Sequence, residues 1–583
     1  MEKEMGNNRI NKEVYICSDN IISSLGFTTK ENVDNIRDYK SGIKRIDDKN
    51  LLSSSFMGGQ IDENSLSILV KENKLENYKK SEQLVILSIL DTIKDINISL
   101  SDKRTALIIS TTKGDIQELK NSQDNLPFLW KLSENVSSYF GMTNKAQVIS
   151  NACISGISAS IVASRLIETG DFDNVIVAGV DVLSEFIVSG FNSFKSLSQE
   201  ICRPYDSARD GLNIGEACGS ILLSSNIEIV DDKDKIQVFG GGISNDANHI
   251  SGPSRDGGGL ASAIKTALEL SNFESEDIDF VNCHGTATVY NDEMESKALA
   301  LMNLSDKALN SLKPYFGHTL GASGVIEIIA CIHQLRENIV FGVKGFQELG
   351  VSCDLSLSYK HRDLPINTCL KTASGFGGCN AALIFGSPNT KFALREEKKC
   401  TYSLIKECNI EDKKLFVDGQ LLFNGEDTET YKEFISLSYK LIGKPDIKYF
   451  KADEMSKLGT TAANHLLKDI LNDYKAEEIS LLMANSSASL NTDIKHQKQI
   501  NSEDEVSPAI FVYTLPNIVM GEICIKHGIK GENTFFVAKE MPNELFDSYL
   551  NILFNRGIKL CILGWCDFLN DEYKLNFKLI KRD

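Results

Sequence analysis

Apolar and polar positions along the chain fall into two alternating patterns. Short unbroken apolar runs at Val14-Tyr15-Ile16-Cys17, Thr105 to Ile109 and Asn174-Val175-Ile176-Val177-Ala178-Gly179 have the character of strands buried on both faces. Between them, Ser81 to Ile96 carries Leu84, Ile86, Leu87, Leu90 and Ile93 at helical spacing. An apolar run ending at Ile149 leads through Asn151-Ala152-Cys153-Ile154-Ser155-Gly156 into a helix of small and apolar residues that reaches about Glu168. Gly219-Ser220-Ile221-Leu222-Leu223 closes this stretch. The alternation resumes near Ile236, with a helix at Leu260 to Leu270, a strand at Ile278-Asp279-Phe280-Val281, a helix at Val325 to Gln334 and a last strand at Ala381-Ala382-Leu383-Ile384-Phe385. Strands alternating with helices in this way predict an α/β protein with parallel sheets.

The chain then loses its periodicity. Residues 388–400 are charged and read as a linker, and residues 1–12 read as a disordered tail. Beyond the linker the first pattern returns. Ile479 to Ser487 parallels Ala106 to Thr112, Asp493-Ile494-Lys495 parallels Asp115-Ile116-Gln117, and Arg556-Gly557 with Leu560 to Gly564 parallels Thr169-Gly170 with Val175 to Gly179. The units are therefore 13–228, 229–387 and 401–583. In the third, the position of Cys153 falls on Lys539 or Glu540, so it has no cysteine nucleophile.

Composition narrows the class. With 583 residues and a net charge of −18, the chain is a poor non-specific nucleic-acid binder. Its 14 cysteines are scattered without a Cys-x-x-Cys pair, which fits reduced thiols better than disulfides or a metal site. Met1 to Glu13 has no apolar signal core, and Val325 to Ile332 is typical of the longest apolar runs, so no membrane span is expected. These features predict a cytoplasmic protein.

The chemistry gathers at strand ends. A cysteine at a strand-to-helix turn sits at the positive end of the helix dipole, which favours the nucleophilic thiolate. Alone, Cys153 reads as a buried core residue, since free cysteine is among the most buried residue types. Three further segments accompany it: Cys283-His284-Gly285-Thr286-Ala287-Thr288, then Lys313-Pro314-Tyr315-Phe316-Gly317-His318-Thr319 running into a small-residue helix that holds Glu327, then Gly375-Phe376-Gly377-Gly378-Cys379-Asn380. Each alone has an ordinary structural reading. Together and in this order, they resemble the β-ketoacyl-acyl-carrier-protein synthase family, the Cys-His-His condensing enzymes of the thiolase-like superfamily. The likeness runs from about residue 13 to 387 and includes Arg203-Pro204-Tyr205-Asp206, Arg209-Asp210-Gly211 and Gly215-Glu216. A thiolase would carry a second catalytic cysteine in a late Cys-x-Gly, and a Cys-His-Asn ketosynthase an asparagine in place of His318.

The resemblance implies a thiolase-like duplicated fold with layered α-β-α-β-α architecture, plus an additional C-terminal α/β half-domain that is a degenerate copy of the first half. It implies decarboxylative Claisen condensation of an acyl thioester on Cys153 with malonyl-acyl-carrier protein, in fatty-acid or polyketide or aryl-polyene-type biosynthesis. An acyltransferase without condensation, and an assembly subunit of the chain-length-factor kind, share most of these features. It assigns Cys153 as nucleophile, His284 and His318 as enolate-stabilising donors, Lys313 and Glu327 as supports, and the N–H groups of Cys153 and Phe376 as the oxyanion hole, with Phe376 also the gate. Arg203 and Arg209 are candidates for carrier-protein docking. No metal or dissociable cofactor is implied; the phosphopantetheine arm of acyl carrier protein brings the substrates. A homodimer, or a heterodimer with another ketosynthase-like subunit, is expected. Ile154 stands where a small residue is usual, and Lys113 lies in a loop that resembles the far end of the acyl pocket, where it points to solvent, to an interface or into the pocket.

Overall fold

The computed structural model describes residues 9–120, 126–229, 235–389, 391–502 and 505–583. Its main strands form three units. The first contains β1 (Val14–Ser23), β2 (Thr105–Ser110), β3 (Gln147–Ile149), β4 (Asn174–Asp181) and β5 (Ala217–Ser224), with helices α1 (Lys80–Ile93) and α2 (Ser155–Glu168). The second contains β6 (Ile236–Asn245), β7 (Phe280–Asn282), β8 (Ala308–Asn310), β9 (Thr368–Gly375) and β10 (Cys379–Gly386), with α3 (Gly258–Ser271) and α4 (Ser323–Glu337). The third contains β11 (Tyr402–Glu411), β12 (Ile479–Asn485), β13 (Asn533–Val537), β14 (Leu560–Leu569) and β15 (Glu572–Arg582), with α5 (Glu454–Leu467), α6 (Ile518–His527) and α7 (Asn543–Asn555).

All three units share one strand order. In the first it is β1-β5-β4-β2-β3, antiparallel in the first two pairings and parallel in the last two. The second repeats this as β6-β10-β9-β7-β8, and the third as β11-β15-β14-β12-β13. Even a bulge recurs. The fourth residue of the leading strand, Cys17, Phe239 or Ile405, is skipped by the register in each unit. Bulges are local devices that add twist, and this one recurs at the same place in all three units.

Layering follows from burial. In β2, Ala106 and Ile108 join the cluster that holds α2, while Leu107 and Ile109 join the one that holds α1. The sheet is thus covered on both faces, and its strands are apolar throughout. Helix α2 is buried from Ser155 to Ile167. Two of its serines tolerate this because they satisfy themselves locally: Ser160 Oγ donates to the Gly156 carbonyl at 2.9 Å and Ser164 Oγ to the Ile161 carbonyl at 3.0 Å. Helices α2 and α4 cross at glycines. A Cβ on Gly156 would lie 2.8 Å from the Val325 amide, and one on Gly324 would lie 2.5 Å from the Ile157 amide. Residues 13–387 therefore form the layered α-β-α-β-α body.

The third unit docks on that body edge to edge. Strand β13 pairs antiparallel with β3, Phe536 opposite Ile149 and Val537 opposite Val148. Because β3 and β13 hold the same place in their units, the two sheets run on as one, related by an approximate two-fold axis through this pair. Buried ion pairs reinforce the joint. Arg165 on α2 donates to both oxygens of Glu532, at 2.7 and 2.8 Å, and to Tyr549 at 2.6 Å on α7. Lys113, only 4% exposed, reaches Asp493 at 2.6 Å and Ser489 at 3.1 Å and also bonds the Thr514 carbonyl. It points into the third unit, not to solvent.

Two segments differ from expectation. Residues 9–12 are not a free tail: Arg9–Ile10 pair with Glu396–Glu397, and the Asn11 and Lys12 amides donate to the carbonyls of Arg395 and Glu168. Part of the expected tail thus pairs with part of the expected linker, and Glu397 is fixed by Arg556 at 2.7 Å. Polar segments with no core of their own are held here by backbone hydrogen bonds. Residues 1–8 and Thr390 lie outside the described residues. Among the described residues, no helix is long and apolar enough to cross a membrane.

Candidate active site

The site lies where the ends of β3, β7 and β9 converge. After β3 the chain makes one 3₁₀ turn, Ala152–Ile154, before α2 begins. Cys153 Sγ, a His284 ring nitrogen and a His318 ring nitrogen lie within 4.8 Å of one another. The imidazoles meet edge to face, with centroids 5.3 Å apart. Ala152, Ala287 and Leu320, close in sequence to these three groups, hold φ of +48°, +61° and +52°. Left-handed backbone at residues with a Cβ costs about 1–2 kcal/mol each and persists where packing over-determines it.

The backbone amides of Cys153 and Phe376 lie close enough to Sγ to favour the thiolate. They form the pair of fixed donors that a developing oxyanion on an acyl group would need. They do not make the resting thiol a thiolate. Burial is the largest influence and pushes the Cys153 thiol up to about 12, against the pull of Lys313 and the two amides. Some of the residue's surface still meets solvent, but the packed protein around it dominates. The expected gain from the helix dipole is thus overridden by desolvation.

Hydrogen bonds set the histidine tautomer. His318 Nδ1 accepts the Leu320 amide at 3.1 Å and lies 3.1 Å from Ser323 Oγ. The neutral ring therefore carries its proton on Nε2, as a donor. His284 is held by its backbone: its amide and that of Gly285 both donate to the buried Glu295, each at 2.8 Å. Its Nδ1 has no hydrogen-bond partner among the described residues. Burial pushes both imidazoles well below their ordinary range, and the charges of Lys313 and Lys371 push them further, so both are neutral.

Lys313 and Glu327 are fully buried neighbours, and the structure adds a third member. Glu327 receives Lys313 through Oε1 and Lys371 through Oε2, the latter at 2.7 Å. Burial would raise the Glu327 carboxyl, but the two ammonium groups outweigh it and keep it ionised. Two cations on one carboxylate leave a net positive charge behind the histidines. Sequence reasoning missed Lys371, because a lysine inside a strand carries no local sign that its charge is buried. It also missed Glu295 and Asp181. Asp181 accepts the Gly321 amide at 2.7 Å and the Thr112 amide at 3.0 Å, tying the His318 turn to the Thr111 loop.

Other expected residues are placed as follows. Phe376 lies against Phe191 and Phe194, with ring centroids 6.5 and 5.7 Å away. Ile154 is fully buried. Arg209 is withdrawn from docking: its side chain is 6% exposed and donates to the carbonyls of Asp206 at 2.9 Å and Gly350 at 2.7 Å. Arg203 is partly exposed and engaged by Glu200. In the third unit, Lys539 and Glu540 lie exposed at the surface. A thiol and two imidazoles so close could also ligate a thiophilic metal. The Cys153 and Phe376 amides beside the thiol suit acyl chemistry.

Comparison with known proteins agrees with this geometry. Residues 11–228 match the profile of the β-ketoacyl synthase N-terminal domain and residues 237–346 that of its C-terminal domain, together more than half of the chain. Over 247 residues the chain is 34% identical to 3-oxoacyl-[acyl-carrier-protein] synthase 2 of Rhizobium meliloti, a stretch of 40% of this chain and 58% of that protein. The chain spans less than two thirds of the length of the first curated relatives it matches. It superposes on a ketosynthase solved in complex with its chain length factor from Xenorhabdus doucetiae, with TM-score 0.56 and 26% identity, over 64% of this chain and 98% of that one. It also resembles the PfaC keto synthase-chain length factor, with TM-score 0.76 and 13% identity, over 98% of this chain and 78% of that one. The last likeness is one of fold alone, and it takes in the third unit.

Proposed function

Because the chain belongs to the β-ketoacyl synthase family, we propose that it is a β-ketoacyl-acyl-carrier-protein synthase. The observation that carries the reading is the Cys153, His284 and His318 cluster. Sγ attacks an acyl thioester and expels the carrier's thiol, which leaves with the cysteine's proton. The Cys153 and Phe376 amides hold the oxyanion of that step. A malonyl thioester then loses carbon dioxide. His318, with its proton on Nε2, and His284 donate to the enolate oxygen. The enolate carbon attacks the acyl group, and the released Cys153 sulfur takes up a proton. Neutral donors backed by the Lys313–Glu327–Lys371 charge suit an enolate, which simple acyl transfer would not form. This favours condensation over the acyltransferase reading.

Substrates arrive on the phosphopantetheine arm of acyl carrier protein in this proposal, and the setting is the cytoplasm. We divide the chain into a ketosynthase N-terminal half (13–228), a C-terminal half (229–387) and a degenerate N-half-like unit (401–583). The shared strand order and bulge support that division. The third unit, without a cysteine at the nucleophile position, acts as a silent half-partner in cis. The test is incubation with malonyl-acyl-carrier protein. Carbon dioxide release that depends on His284 and His318 is expected. Acylation of Cys153 without any release would establish transfer alone.

A further inference from the structure

The glycine turn that carries the Phe376 amide is clamped from two sides. On the side of the second unit, the Gly377 amide donates to the Ile250 carbonyl at 2.7 Å, and Asn245 Nδ2 donates to the Gly377 carbonyl at 2.9 Å. On the other side stands the third unit. Asn517 caps helix α6, is 1% exposed, and donates from Nδ2 to the Phe376 carbonyl at 2.8 Å. The flipped amide would set two acceptors against each other, so the donation fixes its orientation. Packing matches the hydrogen bond. A Cβ on Gly377 would lie 2.7 Å from Asn517 Nδ2, and a Cβ on Gly521, one turn along α6, would lie 2.8 Å from the Gly377 carbonyl oxygen. Gly377 and Gly378 hold φ of +88° and +71°, backbone that glycine adopts without strain.

We propose that Asn517 of the third unit is a positioning residue for acyl transfer, holding the Phe376 peptide so that its amide faces the oxyanion formed on Cys153. The inference rests on the ketosynthase reading and gives residues 401–583 a task inside the site without a catalytic group of their own. The carbonyl of Phe376 and its own amide are separated only by the residue's φ and ψ. Loss of the restraint on one therefore loosens the other. An oxyanion donor acts only when it is already in place, and a missing donor costs about a hundred- to a thousandfold in rate. A loosened donor retains part of that. Decarboxylation relies on His284 and His318, whose supports, Leu320, Ser323 and Glu295, do not touch Asn517.

The experiment uses the full chain. Asn517→Leu keeps similar bulk and removes the donor. Acylation of Cys153 by an acyl-carrier protein, followed by intact-protein mass spectrometry, is expected to slow at least about tenfold, because the oxyanion contact is weakened. Carbon dioxide release from malonyl-carrier protein, measured in the Cys153→Gln background, is expected to stay within about twofold of its parent, since a change that size leaves the histidine donors in place. Gly521→Ala pushes on the same turn and leaves the Asn517 side chain unchanged, although its own amide bonds the Asn517 carbonyl at 3.1 Å, and should give the same split. Acylation at the wild-type rate in both variants overturns the proposal. Equal losses of acylation and decarboxylation in both also overturn it, since that reports a general disturbance. If the unmodified protein shows neither reaction, it is the ketosynthase reading that fails, whatever Asn517 does.

Discussion

At Cys153 the amides and Lys313 favour the thiolate, and burial favours the thiol. Burial wins, with the thiol pushed up to about 12. The rate of alkylation by iodoacetamide should therefore keep rising from pH 7 to about pH 10, because only the thiolate reacts. A plateau near neutral pH would mean that a thiolate is preformed. The histidines behave in the opposite sense. Their folded forms resist protonation, so their contribution to stability is present above about pH 6.5 and fades as pH falls below it. Carbon dioxide release should be flat from about pH 6 to 8 and fall only in acid. A midpoint near 6.5 in that profile would show that an ordinary histidine titration controls the step. Glu327→Gln leaves Lys313 and Lys371 facing each other without a carboxylate. Removing one partner from a buried ionic cluster costs about 3–5 kcal/mol, to be read from urea unfolding. The nucleophile, both histidines and Lys313 were legible because each stands in a compact motif that contains glycine or proline, and Glu327 because it sits on the small-residue helix that follows one. Lys371 and Asn517 were not, because each meets the site only after strands or units far apart in sequence pack together; Glu295, 11 residues after His284, was not because nothing local marks its carboxylate as buried.

Elements were legible in proportion to their periodicity. The helix expected from Ser155 to about Glu168 is α2, because small residues keep it uniformly buried. The strand expected at Ile278 to Val281 instead begins at Phe280, since Ser275–Asp277 form a 3₁₀ turn capped by Glu274 and Asp277. The Asp277 carboxylate accepts the Glu274 amide at 3.0 Å, a local bond made before the ladder starts. What no window of sequence could show is the pairing of β3 with β13, beside which Asn151 and Phe535, 384 positions apart in the chain, are hydrogen-bonded. At this scale Arg165 is the element-to-element tie. Arg165→Met keeps the alkyl packing but strands Glu532 in a buried place, so a loss of about 3–5 kcal/mol is expected. Pairing it with Glu532→Gln should recover part of that loss in a denaturant titration. No recovery would show that the two residues act independently.

Across the whole molecule, the third unit is continuous with the body: Val148 lies in one apolar cluster with Phe535 and Val537. Deleting residues 391–583 would bare the β3 edge and the apolar surface beside it, a template for association. The truncated protein should aggregate or shift to a higher mass by light scattering and lose acylation. A monodisperse and active fragment would show the third unit to be dispensable. The charge of −18 sits uneasily with docking of an acidic carrier, and Arg209 is not free to offset it. Any salt effect on the apparent KM must then come from groups other than Arg209.

The pairing of β3 with β13 has a kinetic consequence. Two separate subunits meeting at such an edge would associate by a second-order process, and their working fraction would fall with dilution. Here both edges belong to one chain, so closure is first order and the effective concentration of one for the other, about millimolar for short flexible tethers, is fixed by the chain itself. Specific activity should therefore be constant from micromolar to nanomolar protein, measured with saturating carrier substrates.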